Sequence, residues 1–302
     1  MLQDIAASHH EMLIPPHAAP AQDTRQSAFA RPIPDCDGPL GRLGSLEVHL
    51  ASDAKDVRRA QRLRYRVFYR EMSARGAAAH LLRRDADEYD GICDHLLVID
   101  NIGRSVRREP RVVGTYRLLR QDVAERHRGF YSAHEFDVAP LLARHRGLRF
   151  LELGRSCVAP PYRNRRTVNL LWHGIWRYVL GHRIDVMFGC ASLEGADPAR
   201  LALPLSYLHH FAAADETWRA QALPLGRAAV EVLPANGIDP RAAWRDLPAL
   251  VKGYLRLGAR VGEGAVVDHR FGTTDVLIVL PVAAIDQRYI AHFGPTAERY
   301  AA

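Results

Sequence analysis

The stretch from Leu148 to Ala191 limits the fold more than any other part of the chain. An apolar run to Val158 is stopped by Pro160-Pro161. A helix over Thr167–Leu180 then places Val168, Leu171, Ile175 and Tyr178 on one face, and Ile184–Ala191 reads as a buried strand. Upstream the same alternation continues. A strand at Leu46–Leu50 is followed by Ser52 as an N-cap and a helix with Val57, Ala60, Leu63, Val67 and Phe68 at helical spacing. Strands at His95–Asp100 and Arg111–Leu118 come next, then a helical stretch over Asp122–Arg146. This pattern predicts a layered α/β (α+β) domain and excludes a helical bundle or a β-sandwich.

The last third adds a helix near Leu247–Leu257, a Gly-rich loop over 258–265 and a strand at Thr274–Leu280. That strand is too apolar for an open edge, so it is expected to complete the same sheet. Residues 1–44, rich in Ala, Pro, His and Gln, read as a disordered lead, 45–294 as one domain and 295–302 as a tail. The opening residues lack the basic and apolar regions of a secretory signal. The longest apolar stretch, Val276–Ile285, is too short for a spanning helix, so any membrane contact is expected to be peripheral. Cys36, Cys93, Cys157 and Cys190 form no CxxC pair. They signal neither a zinc ribbon nor a disulfide framework, and a reducing cytoplasm fits them best.

The 302 residues carry a formal charge of +7, with Lys only at 55 and 252 against 39 Arg. A genome's base composition explains such a bias; so does a need to hold phosphate or carboxylate bidentately. The excess is local: residues 111–184 hold 14 Arg against 5 acids. The first helix adds Arg58, Arg59, Arg62, Arg66 and Arg70 on its polar face. A polyanionic partner is the implied reading.

Within that basic region Glu152 sits on an apolar strand, three residues before Arg155. A buried Glu needs a partner, and the residues alone leave two readings open, a structural ion pair or a base. The following turn, Val158-Ala-Pro-Pro-Tyr-Arg-Asn-Arg-Arg-Thr167, opens a helix whose free N–H groups make a natural anion site. His95, His134 and His173 are isolated and read as structural, with no metal implied. Ser156 and Cys157 lack the setting of a nucleophile.

These features resemble the acyl-donor half of the Gcn5-related N-acetyltransferase (GNAT) superfamily. Within it they resemble two branches that use acyl carrier protein. The motifs of the acyl-homoserine-lactone synthases match Arg64 and Phe68, Asp87 and Asp90, Arg117, and Glu152 with Arg155. The chain is more similar to the ornithine N-alpha-acyltransferases of ornithine-lipid synthesis, often labelled hemolysin-like. That likeness runs over about residues 46–294, through Gly129-Phe-Tyr-Ser-Ala-His-Glu-Phe-Asp137, Phe188-Gly-Cys-Ala-Ser192, Leu205-Ser-Tyr-Leu208, Lys252-Gly-Tyr-Leu-Arg-Leu-Gly-Ala259 and Phe271-Gly-Thr-Thr-Asp-Val276. One departure stands out: the glycines usual for coenzyme A binding are replaced by Arg163-Asn-Arg-Arg-Thr167, which suits a single-phosphate phosphopantetheine arm better.

The resemblance implies a mixed, largely antiparallel central sheet flanked by helices, with a C-terminal extension. It implies transfer of a 3-hydroxyacyl group from acyl carrier protein to the α-amine of L-ornithine, giving lyso-ornithine lipid, with no permanently bound cofactor. Glu152 would be the base, and Arg155 would orient it or bind the substrate carboxylate. Backbone N–H groups near 153–156 would form the oxyanion hole. Phe68 would be core or acyl-channel wall. Asp87 and Asp90 would anchor a cationic amine, or pair with Arg64 and Arg117 to fix their loop. Arg163, Arg165, Arg166 and Thr167 would contact phosphopantetheine or carrier protein. The enzyme would be cytoplasmic, with peripheral contact at the inner membrane and no nucleic-acid partner. Rival readings are a lactone synthase, another N-acyl amino acid synthase, or, from a different class, a membrane-active protein.

Overall fold

Strand pairing in the computed structural model, which describes residues 38–102, 110–293 and 300, begins at Gly41. β1 (Gly41–Leu43) turns through Gly44, whose φ of +65° suits a tight hairpin, into β2 (Leu46–Leu50). Pairing therefore starts inside the stretch predicted as a disordered lead. The lead up to residue 37 lies outside the described residues, as does the predicted tail apart from Tyr300.

α1 (Ala54–Arg64) is capped by Asp53, whose carboxylate accepts the N–H groups of Lys55 and Asp56. Ser52, the predicted cap, instead donates to Asp56. The helix buries Ala60, Leu63 and Arg64, then widens into π-helical turns over Tyr65–Glu71, a local irregularity frequent at functional sites. α2 (Ala77–Leu82) and the acidic loop lead to β3 (Asp94–Asp100) and β4 (Arg111–Arg120). The predicted long helix over 122–146 is broken into α3 (Gln121–Arg126), a 3-10 turn at Tyr131–His134, β5 (Phe136–Asp137) and α4 (Ala139–Arg144). Gly129, at φ +77°, marks the break.

β6 (Phe150–Val158), α5 (Arg165–Gly181) and β7 (Val186–Glu194) form the predicted strand-helix-strand unit. α6 (Ala202–Phe211), β8 (Gln221–Ala222), α7 (Pro240–Asp246) and α8 (Ala249–Arg256) follow. β9 (Arg260–Val261), β10 (Val266–Asp268), β11 (Thr273–Pro281) and α9 (Gln287–Phe293) close the chain. The main sheet runs β1-β2-β3-β4-β6-β7-β11-β10, with β9 on β11 and β5 paired to β8 apart from it. Every pairing in the main sheet is antiparallel except β6 with β7, so the sheet is mixed and largely antiparallel as expected. β11 lies inside the sheet between β7 and β10, consistent with its apolar sequence. Leu171, Ile175 and Tyr178 of α5 join Val48, Leu96 and Val98 in one core layer; Val168, predicted on that face, is exposed.

Two irregularities shape the sheet's centre. Parallel pairing of β6 with β7 ends at Glu152 opposite Phe188, although both strands continue for six residues more. Beyond that point the strands diverge, and Gly189 is required there: a Cβ on it would lie 2.2 Å from the Leu153 carbonyl oxygen. On the other side of β6, Tyr116 of β4 faces two residues, Arg155 and Ser156, a bulge that holds Arg155 at φ +50°. A non-glycine residue there is strained, and such strain persists where the surroundings over-determine it.

Candidate active site

The divergence of β6 and β7 opens a cavity of about 300 Å³. Its walls are Glu152 to Val158 of β6, Cys190 to Ser192 of β7, and Val67, Phe68 and Met72 from the turns after α1. Tyr116, Arg117 and Leu119 of β4, the Tyr131-Ser132 turn, Arg163, Leu250 and Tyr254 of α8, and Asp268, Phe271, Thr273 and Asp275 around β10–β11 complete it.

Glu152 is buried against this cavity. One carboxylate oxygen accepts the Tyr131 N–H at 2.9 Å and the other the Ser132 N–H at 2.6 Å. Burial pushes its carboxyl above the usual range, against the pull of these hydrogen bonds and of Arg117. Neither the structural ion pair with Arg155 nor orientation by Arg155 is found: backbone N–H groups position Glu152, and Arg155 turns to other acids. Its guanidinium lies between the rings of Tyr131 (4.7 Å) and Phe271 (4.9 Å) and approaches Asp87 at 3.2 Å and Asp85 at 3.4 Å.

Beneath the cavity lies a closed ion network. Arg64, 0% exposed, contacts Asp85 at 2.9 Å and Asp90 at 2.7 Å. Arg117 contacts Asp87 at 2.6 Å and Asp90 at 3.3 Å. With Arg155, and with Arg270 at 3.7 Å from Asp85, four Arg thus meet three Asp, which satisfies charges that would be costly alone. Burial opposes ionisation of Asp90, but the hydrogen bonds and charge of Arg64 hold its carboxyl well below the usual range. Asp87 and Asp90 also cap the turn at Glu88–Gly91 reciprocally. Both therefore sit in the ion-pair role, and neither is among the residues lining the cavity. Phe68 is a cavity wall, edge-to-face with Phe271 at 5.6 Å.

Of the predicted donor contacts only Arg163 lines the cavity, and it is paired with Glu71 at the rim. Asn164 caps α5 by accepting the Thr167 N–H, and the helical screw carries the next residues away. Arg165 is exposed, Arg166 points to the Leu43 carbonyl, and Thr167 is buried with its hydroxyl on Asn164. His95, His134 and His173 contact Asp90 O, the Tyr89 hydroxyl and Leu40 O respectively, as structural histidines would. Burial pushes the Cys157 thiol up to about 12, which suits no nucleophile.

Sequence reasoning missed a second acidic group. Glu135, Asp268 and Asp275 each bring a carboxylate oxygen within 4.8 Å of the others. Burial, then the charge of Asp275, raises Glu135 to about 7, and one of its oxygens is buried without a hydrogen-bond partner. Burial, then neighbouring Asp268, raises Asp275 to about 6, against the hydrogen bonds of Thr273 and Ser192. The group joins the Glu152 side of the cavity through Cys190, which contacts Ser132 at 3.4 Å and hydrogen-bonds Glu135. Three crowded carboxylates offer a cation an oxygen-lined seat, for an ammonium or a hard metal ion alike. Asp85 was also missed, although it opens the acidic run Asp85-Ala-Asp-Glu-Tyr-Asp90 that holds Asp87 and Asp90. For Asp275 the available signal was a single acid on an otherwise apolar strand.

Glu152 thus sets a buried carboxylate in the wall of a cavity between diverging strands, and residues 63–173 match the acetyltransferase (GNAT) domain family. The protein is thus an acyltransferase of GNAT-like fold. It is 52% identical over 268 residues to the L-ornithine N(alpha)-acyltransferase of Agrobacterium fabrum, covering 88% of this chain and 90% of that one. The Brucella abortus protein of the same name is 52% identical over 262 residues, covering 86% and 93%. Among solved structures, FeeM, an N-acyl amino acid synthase from uncultured soil microbes, covers 79% of this chain and 91% of its own at 11% identity and a TM-score of 0.45. The chain belongs to the L-ornithine N(alpha)-acyltransferase family. Among the described residues, no helix is long and apolar enough to cross a membrane.

Proposed function

We propose that the protein moves a 3-hydroxy fatty acyl group from the phosphopantetheine thioester of acyl carrier protein to the α-amine of L-ornithine, releasing lyso-ornithine lipid and the carrier thiol. The observation carrying this reading is Glu152: a buried carboxylate, raised in pKa, in the cavity wall where β6 loses its parallel neighbour. An ammonium has no lone pair, so Glu152 takes one proton from it to free the amine for attack on the thioester carbonyl, and the second proton shed by the nitrogen goes to the thiolate as the C–S bond breaks. The bulge at Arg155 and the unpaired edge of β6 beyond Glu152 supply N–H groups for the oxyanion. Arg155, fixed by its rings and acids, faces the substrate carboxylate. Glu135, Asp268 and Asp275 face the side-chain ammonium, which glutamine lacks.

The donor needs no resident cofactor, since its phosphopantetheine arrives with the carrier, and the Arg163 rim is the entry favoured for it. The reaction is placed in the cytoplasm at the inner membrane surface, where a single-chain lipid product is taken up. The test is mass spectrometry of products from 3-hydroxyacyl carrier protein offered with ornithine, lysine, glutamine and S-adenosylmethionine. N-acyl ornithine is expected as the main product; equal acylation of glutamine or S-adenosylmethionine would refute the acceptor assignment.

A further inference from the structure

We propose that the exposed Arg face of α1 and the turns after it is the docking surface for an acidic helix of the carrier protein that delivers the thioester. This rests on the carrier-protein reading above and gives that partner a place distinct from the Arg163–Thr167 turn.

Arg62, Arg66 and Arg70 recur every four residues along one exposed face, and Arg83 and Arg111 join them from α2's end and from β4. Among the described residues, none of these five has an acid within 4.0 Å. Arg117, Arg120, Arg126, Arg128, Arg149, Arg155 and Arg163 of the basic middle segment are all paired. Like charges gathered with no acid in direct contact are an unfavourable arrangement for the free protein, and partial burial and Arg111 together lower the pKa of Arg66. An approaching polyanion relieves both effects.

The face is also shaped. A groove of about 520 Å³ lies among Arg62, Arg66, Arg70, Arg83, Tyr65 and Leu82. It shares Arg66 and Arg70 with a second groove, of about 250 Å³, that also holds Arg111 and Glu71, the latter paired with Arg163, and runs to Ala159 and Pro160. Val67 lines that second groove and also the catalytic cavity, so the basic track leads to the cavity where a tethered thioester must react. Leu81 (85% exposed) and Leu82 (50%) stand at its far margin. A concave, cationic track with an apolar edge, continuous with the catalytic cavity, fits an acidic amphipathic helix. A bilayer presents no convex feature to fill the groove, and two leucines give little to insert.

The test compares wild-type enzyme with R62E/R66E/R70E and with the milder R62Q/R83Q, folds checked by thermal unfolding, in steady-state kinetics with 3-hydroxyacyl carrier protein and ornithine. Charge reversal is expected to raise KM for the acyl carrier protein at least tenfold, to leave kcat and the ornithine KM within twofold, and to flatten the salt dependence. R62Q/R83Q is expected to show a smaller rise in the same KM. Reversing acidic residues of the carrier to Lys is expected to restore turnover by the triple variant. Carrier KM within twofold of wild type in both variants overturns the proposal, as does loss of binding to anionic phosphatidylglycerol vesicles with carrier KM unchanged. If wild-type enzyme uses only acyl-coenzyme A, the donor reading fails and this surface assignment with it. Normal carrier use by wild type and triple variant alike overturns the surface alone.

Discussion

Replacing Asp275 with Asn should improve stability and damage catalysis in one step. Asp275 is 6% exposed and its carboxyl is raised from the usual 3.8 to about 6, burial being the main cause. A carboxyl raised in this way favours the fold fully below its ordinary pKa, and that contribution is lost as pH rises through the folded value. The shift corresponds to about 3 kcal/mol once pH exceeds 6, and to less than about 1 kcal/mol at pH 4. Asn keeps an oxygen for the Thr273 hydroxyl, which lies 2.9 Å from the carboxylate, and removes the charge. Urea unfolding of the free protein should therefore show Asp275→Asn to be more stable than wild type by up to about 3 kcal/mol at pH 8, and nearly equal to it at pH 4. With the ornithine ammonium seated at this cluster as proposed, loss of the charge-assisted contact is worth about 1.5–3 kcal/mol, so kcat/KM for ornithine should fall roughly 10- to 100-fold. Saturating ornithine should stabilise wild type more than the variant. A variant less stable at pH 8, with an unchanged ornithine KM, would refute the reasoning on both counts.

Other perturbations separate the network from the chemistry. Arg64→Leu leaves Asp85 and Asp90 buried without their main partner and should lower stability by about 3–5 kcal/mol in denaturant unfolding; a loss under 1 kcal/mol contradicts the buried-network account. Gly189→Ala should sharply reduce both turnover and soluble yield, because its Cβ would collide with the Leu153 carbonyl where the strands part; wild-type kinetics would show that the divergence is not rigid. Cys157→Ser should retain more than about a third of wild-type turnover, as expected for a thiol with no part in covalent catalysis; abolished turnover with a stable fold reverses that assignment.

The alternation of apolar strands and helices was legible because each element's periodicity is local, whereas Arg64, Asp87, Asp90, Arg117 and Glu152 stood out only through their resemblance to the lactone-synthase motifs. Their pairing was half legible: the ion-pair reading of Asp87 needed only the loop's charge, whereas Arg155's turn away from Glu152 depends on a bulge that no spacing announces. Of the anion site expected at 163–167 only Arg163 reaches the cavity, because Asn164 caps the helix and the helical screw rotates Arg165 and Arg166 outward. Net charge misled in a related way. The middle segment is the most basic in sequence, yet Arg117, Arg120, Arg126, Arg128, Arg149, Arg155 and Arg163 are paired with acids, while Arg62, Arg66 and Arg70 along and just after the first helix have no acid within 4.0 Å among the described residues. Glu135, Asp268 and Asp275 were hidden because Glu135 stands more than about 130 residues before the other two and only the fold brings them together.

The central claim is that Glu152 accepts the proton of the attacking amine. The most direct measurement is the pH profile of kcat/KM for Glu152→Gln, with wild-type thermal stability verified. The account expects a loss of roughly 10²-fold or more at pH 8 and disappearance of the acidic limb that reports the raised carboxyl. Turnover within about threefold of wild type, with the limb intact, would place the base elsewhere.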